Sequence, residues 1–216
     1  MSVVNPLFAV PFSTARHPAP ADLNRQLRTL FLAREAEGDK YAHPTPRVER
    51  NDHLFESRFD LFSWPDACVQ ALKTFCWGHL YRAIGEVNGY DLEELKRLHI
   101  ADSTWFHITR RGGYFGLHNH PMASWSGVYC VSAGEPAPDQ ADSGALVFVN
   151  PHATSQMFKD GSVFNMHRPY STASQRFDLS PGQLVLFPSW LLHEVRPFHG
   201  DGERITVAFN AWFKMT

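Results

Sequence analysis

Two periodicities divide this chain. Through roughly its first hundred residues, apolar positions recur three and four apart, as on one side of a helix. Leu23, Leu27, Leu30 and Phe31 predict a helix over residues 21–37. Pro44 and Pro46 interrupt the pattern, and Ser63 before Pro65 marks a second helix start. Cys68, Ala71, Leu72, Phe75, His79, Ala83 and Val87 form its apolar stripe, and Asn88-Gly89 stops it. On that stripe, His79 reads as a hydrogen-bonded core residue. Asp91 with Glu94 has the spacing of a capping box for a short third helix carrying Leu92, Leu95 and Leu98.

From Asp102 onward the texture becomes that of short strands. Residues 105–110, 126–132, 145–149, 176–179, 183–187, 193–196 and 204–213 read as strands, with Gly112-Gly113 and Ser180-Pro181-Gly182 as turns. Residues 151–170 are irregular and have the texture of a lid. Many short strands with turns between them predict a sandwich or barrel. The expected architecture is mainly β: a jelly-roll (double-stranded β-helix, cupin-like) barrel over 101–216. A helical N-terminal layer, 1–100, belongs to the same domain.

Composition narrows the function more than the fold. A formal charge of −2 argues against a broad basic face for nucleic acid or an anionic membrane. The longest apolar runs fall well short of the roughly 20 residues a membrane helix needs. The start lacks a basic stretch followed by a long apolar one, so no signal peptide is expected. Cys68, Cys76 and Cys130 form no CxxC pair, and an odd number without a secretion signal fits a reducing cytoplasm.

The candidate chemistry lies in the second half. His118 and His120 flank Asn119, and in a strand residues i and i+2 share a face. Both imidazoles can therefore aim at one point, a compact clamp for a first-row transition metal. His193, after the proline-bounded run FPSWLLHEV, is the best third ligand. Taken alone, the HxH pair also suits a surface loop. Gly200-Asp201-Gly202 reads as a hairpin turn between residues 193–197 and 203–213. With a two- or four-residue loop, parity would set Arg204 and Thr206 on the face of His193 and Val195; a three-residue loop would reverse this. A buried Arg204 needs an anion, which a dicarboxylate cosubstrate or a neighbouring acid would supply. Trp125 and Trp190 are candidates for the substrate mouth or for barrel packing, and Arg110 and Arg111 read as solvated turn charges.

These residues resemble a family. His118-Asn119-His120, His193, and Arg204-Ile205-Thr206 eleven positions later are similar to the pattern of the iron(II)- and 2-oxoglutarate-dependent dioxygenases. GGYFGLHNHPMASWSGVYCV, FPSWLLHEVRPF and ERITVAFNAWF resemble more narrowly a bacterial and phage-associated branch of such oxygenases, over Trp105 to Phe213. The resemblance implies an enzyme using Fe(II), 2-oxoglutarate and O2. His118, His120 and His193 would be its metal ligands, and Arg204 and Thr206 would grip the far carboxylate of 2-oxoglutarate. His120 stands where most of that superfamily has Asp or Glu, which leaves the centre more positive. Cys130 shares the histidines' strand face by parity, where related enzymes often carry a Tyr donor.

A second resemblance is to the cupins, through Gly112 to His120 and Gly182 to His193; it implies a three-histidine metal dioxygenase without 2-oxoglutarate. A non-catalytic metal-binding barrel is the third reading. Metallo-β-lactamases would continue with Asp-His after HxH, where Pro121-Met122 stands. The acceptor is left open between a protein side chain, a peptide and a small metabolite, and a homodimer is allowed for.

Overall fold

The computed structural model describes residues 3–45, 48–135, 137–152, 158 and 160–216. Two antiparallel sheets face each other. The larger has the order β1 (Ser13–Arg16), β8 (Gln183–Pro188), β5 (Trp125–Ala133), β10 (Arg204–Met215), β3 (Leu98–Thr109) and β2 (Leu54–Glu56). The smaller has the order β4 (Phe115–His118), β9 (His193–Val195), β6 (Leu146–Phe148) and β7 (Gln175–Phe177). This is a double-stranded β-helix, with α1 (Pro20–Ala36) and α2 (Ala67–Asn88) packed against the larger sheet.

The helices form where propensity and caps agree. Pro20 opens α1, where its missing N–H removes no bond, and Leu23, Leu27 and Phe31 are buried. Gly89, in the left-handed conformation at φ 71°, ends α2. The Asp91/Glu94 capping box forms as expected and starts α3 (Leu92–Lys96).

The buried face of α2 is Val69, Leu72, Cys76, Leu80, Ala83 and Ile84. It is rotated from the stripe read in the sequence: Ala71 and Val87 are exposed. This helix carries apolar residues on more than one side, so periodicity alone could not choose. His79 is half-buried, edge-on to Phe75, with no hydrogen-bond partner among the described residues. α2 itself begins at Ala67, after a 3-10 turn over Leu61–Ser63.

Alternation along β10 sorts its two faces. Ile205, Val207, Phe209 and Ala211 enter the core beneath the helices, while Arg204, Thr206 and Ala208 face the space between the sheets. β8 does the same, with Leu184 and Leu186 toward the helices and Val185 and Phe187 in the barrel. The helix-side core is aromatic: Phe31 stacks on Phe106 at 4.2 Å. Truncating either ring would cost about 3–5 kcal/mol.

Two features of the first hundred residues depart from a purely helical layer. β1 and β2 join the larger sheet at its two edges, and β3 begins at Leu98, before the expected strand start. β1 and β2 are too short for a period-2 pattern to register.

Residues 193–213 are not a hairpin. β9 pairs with β4 and β6, whereas β10 pairs with β3 and β5 in the opposite sheet. Between them, Phe198 exchanges backbone hydrogen bonds with Gly112 and Gly113. Gly200 passes so close to the Glu135 carbonyl that a Cβ there would lie 1.9 Å from its oxygen, so only glycine fits this crossing.

Candidate metal and anion site

The three histidines predicted as ligands converge. His118 ends β4 and His193 begins β9, and the two are direct cross-strand partners. Their ring centroids are 4.2 Å apart; His120 lies 4.8 Å from His118 and 5.2 Å from His193. One nitrogen from each ring falls within 4.8 Å of the others, which suits a single metal ion. The chain just after β4 is held by a backbone bond from His120 N–H to Ser189 C=O, 2.8 Å.

Tautomers favour ligation. His118 Nδ1 lies 2.7 Å from the Gly116 carbonyl, and His193 Nδ1 lies 2.8 Å from the Leu191 carbonyl. A carbonyl only accepts, so each Nδ1 must carry the proton and each Nε2 keeps its lone pair. Burial lowers the pKa of all three rings, and neighbouring histidines add to the effect at His120 and His193. His120 falls to about 3. All three are therefore neutral at pH 7, the state a metal binds.

Arg204 and Thr206 line the same pocket as the histidines, as expected, although not through the hairpin that predicted it. They reach it from the facing sheet. Both are buried. Burial pulls the Arg204 guanidinium below its ordinary value, and the Cys130 thiol nearby opposes this only in part. Among the described residues no carboxylate pairs with Arg204. Gly144, at φ 63°, lets the backbone cross the arginine's stem: a Cβ there would lie 2.9 Å from Arg204 Cδ. A buried cation without a counter-ion is costly, so this end of the pocket suits an anion.

Other expectations fare variously. Cys130 faces the barrel interior opposite Thr206, and burial pushes its thiol up to about 11. Trp125 packs instead with the helix-side core, because its neighbour Ser126 takes the inward position. Trp190 is half exposed, and its carbonyl accepts from Asn119 Nδ2 at 3.2 Å. Neither tryptophan walls the pocket. Arg110 is not a free turn charge: it grips Glu35 through two bonds of 2.6 and 2.7 Å. Arg111 meets Asp201 at 2.7 Å. Part of the irregular 151–170 segment, residues 153–157 and 159, lies outside the described residues; the rest has turns but no helix or strand.

Sequence reasoning missed a second polar group in the pocket wall. His107, on β3, is the register partner of both Thr206 and Glu56. Its Nε2 lies 3.1 Å from Glu56 Oε1, and Arg50 Nη1 lies 3.0 Å from Glu56 Oε2. The Arg50 contact is an ion pair without good hydrogen-bond alignment. Burial pushes the Glu56 carboxyl up, but the His107 bond and the charges of His107, Arg50 and His43 outweigh it, leaving the pKa lowered. The period-2 spacing of Trp105 and His107 was the available signal; Glu56, fifty-one positions away, gave none.

Fold and site together give a double-stranded β-barrel with three convergent histidines, a group that could hold a metal ion, and a buried arginine in the same pocket. A family model described as "Putative 2OG-Fe(II) oxygenase" matches residues 103–210, half of the chain. The chain belongs to this 2-oxoglutarate–Fe(II) oxygenase family, enzymes whose cofactors are Fe(II), 2-oxoglutarate and O2. No curated protein matches it in sequence.

Solved structures share the fold at low identity. A Pseudomonas putida prolyl-4-hydroxylase is 20% identical, with 96% of this chain and 94% of that one covered and a TM-score of 0.61. A Trichoplax adhaerens prolyl hydroxylase, solved with a hypoxia inducible factor peptide, is 11% identical over 94% and 83%, with a TM-score of 0.57. HygX of Streptomyces hygroscopicus, solved with nickel, 2-oxoglutarate and hygromycin B, is 12% identical over 94% and 82%, with a TM-score of 0.52.

Proposed function

We propose that His118, His120 and His193 hold the Fe(II), that Arg204 and Thr206 anchor the far carboxylate of 2-oxoglutarate, and that the enzyme hydroxylates an acceptor C–H bond. The observation that carries this is the placement, in a single pocket, of three neutral, convergent imidazoles and one buried guanidinium unpaired among the described residues. The residues fit the group: three ring nitrogens on one side of an ion leave its other positions open for ligand atoms.

When bound, iron with 2-oxoglutarate and O2 supplies the oxidising chemistry. The protein binds and orients. The Gly116 and Leu191 carbonyls fix two of the rings, so little reorganisation is needed on metal entry. Arg204 offers a planar fork matched to a carboxylate, and Thr206 offers a hydroxyl beside it. Phe115, Phe187 and Trp105 wall the pocket against water, which strengthens each polar contact inside.

The acceptor in this reading is a small molecule or a peptide. Neither a nucleic-acid partner nor a membrane is needed, and a homodimer is compatible with it. No helix among the described residues is long and apolar enough to cross a membrane. The three unpaired thiols support placing the protein in the cytoplasm.

The test is iron-dependent conversion of 2-oxoglutarate to succinate, followed with oxygen uptake. Loss of succinate formation in Arg204→Ala is expected. A metal-dependent oxygenase activity that survives Arg204→Ala and forms no succinate would favour the cupin-like reading instead.

A further inference from the structure

The pocket wall contains one nitrogen with two suitors. His107 Nε2 lies 3.1 Å from Glu56 Oε1 and also 3.1 Å from Trp105 Nε1. An indole N–H only donates. An ionised carboxylate only accepts. A single imidazole nitrogen cannot accept from one and donate to the other at the same time.

Burial and charge decide which partner wins. Glu56 is buried and flanked by Arg50, and a carboxylate so placed stays ionised at neutral pH. A charge-assisted bond is about twice as strong as a neutral one. His107 Nε2 is therefore committed to donating to Glu56. The Trp105 N–H then faces another N–H and is left without an acceptor among the described residues. A buried donor in that state costs about 1–3 kcal/mol, so an acceptor is expected from elsewhere.

The position of this donor limits what the acceptor can be. Trp105 and His107 both line the pocket that holds the histidine cluster and Arg204. Along β10, Arg204, Thr206 and Ala208 are the register partners of Thr109, His107 and Trp105. Trp105 is thus two same-face positions, four residues, along the ladder from Arg204, and its ring lies 6.0 Å from the His120 ring. A dicarboxylate with one end on Arg204 would bring its other end toward this donor.

We infer that the Trp105 indole N–H, freed by the Glu56–His107 pair, is a binding donor to the metal-side carboxylate of 2-oxoglutarate. Trp105 and Arg204 then hold the two ends of one ligand. His107 is a positioning residue: it keeps the indole from satisfying itself within the protein. The inference rests on the proposed function, since it needs 2-oxoglutarate in this pocket.

The test uses the Zn(II)-loaded full chain, which binds ligand without turnover. Trp105→Phe keeps a ring and removes the N–H. 2-Oxoglutarate affinity by calorimetry should fall roughly tenfold or more, with Zn(II) affinity unchanged within about twofold. Independently of any variant, the Trp105 indole proton, assigned through its own backbone in the labelled wild-type protein, should move downfield on adding 2-oxoglutarate. Unchanged affinity in the variant, or an indole resonance that stays put while 2-oxoglutarate binds, overturns the inference and leaves the proposed site standing. If wild type fails to bind 2-oxoglutarate at all, the proposed function falls first, and the inference with it.

Discussion

Two buried arginines meet opposite fates in this molecule. Arg50 is paired: Glu56 sits 3.0 Å away and passes the interaction on to His107. Arg204 is more deeply buried than Arg50 and has no acid beside it among the described residues. The fold completes the first cation by itself and, among the described residues, leaves the second without an anion, which the proposed function fills with a ligand. Arg50 is therefore read as stability and Arg204 as affinity, and substitutions should separate the two.

Arg204→Ala should show the largest effect on binding. Truncating a buried partner of a carboxylate costs about 2–5 kcal/mol, so 2-oxoglutarate affinity should drop at least about thirtyfold. Melting temperature should not fall, because the substitution removes an unpaired buried charge. A fall of several degrees in the ligand-free variant would mean that Arg204 has a counter-ion in the fold.

Glu56→Gln should do the reverse. It leaves Arg50 buried without its anion and should destabilise the fold by about 3 kcal/mol, read from urea unfolding. Its pH dependence has a definite sign. The native carboxyl titrates below its ordinary value of 4.5, so its contribution is complete above that pH and is lost as pH falls through the lower native value. The wild-type acid limb should therefore be steeper than that of Glu56→Gln. Parallel limbs would show that Glu56 carries no native charge interaction.

Gly144→Ala should be the mildest. It strains a φ of 63° and pushes a methyl against the Arg204 stem. A cost of about 1 kcal/mol in 2-oxoglutarate affinity is expected, with metal affinity unchanged. Equal losses for both ligands would point to general unfolding of that loop.

Much of this was legible in the sequence, for reasons that can be named. The HxH spacing, the late His193 and the Arg204-x-Thr206 pair are local patterns; strand alternation gives Arg204 and Thr206 their shared face, whereas His120 lies just past the end of β4 and is turned to His118 by the loop bonded to Ser189. The jelly-roll class followed from short strands and turn signals. The reasoning about Arg204 reached the right pocket by the wrong path. Parity across a supposed hairpin placed it there on condition of a two- or four-residue loop, whereas β9 and β10 belong to opposite sheets that face one another. A crossover and a hairpin carry the same Gly-Asp-Gly signal; the pairing of β9 and β10 in different sheets distinguishes them, and Gly200 is needed where the crossing passes Glu135.

What stayed hidden was non-local. The Arg50–Glu56–His107 chain joins residues that pairing of β2 with β3 brings together, and nothing near Glu56 in sequence announces that strand. Trp125 stays open between the mouth and barrel packing when only its nearness in sequence to the histidines is weighed, and alternation turns it to the helix side. Sequence proximity misleads where strand parity was not applied.

The most direct test of the central claim is an anaerobic titration of the Fe(II)-loaded protein with 2-oxoglutarate, followed by visible absorption. A weak charge-transfer band that saturates at one equivalent in wild type, and is missing in Arg204→Ala and His193→Ala at the same concentration, is the predicted result. Iron bound to the wild-type protein with no band at any 2-oxoglutarate concentration would contradict the account.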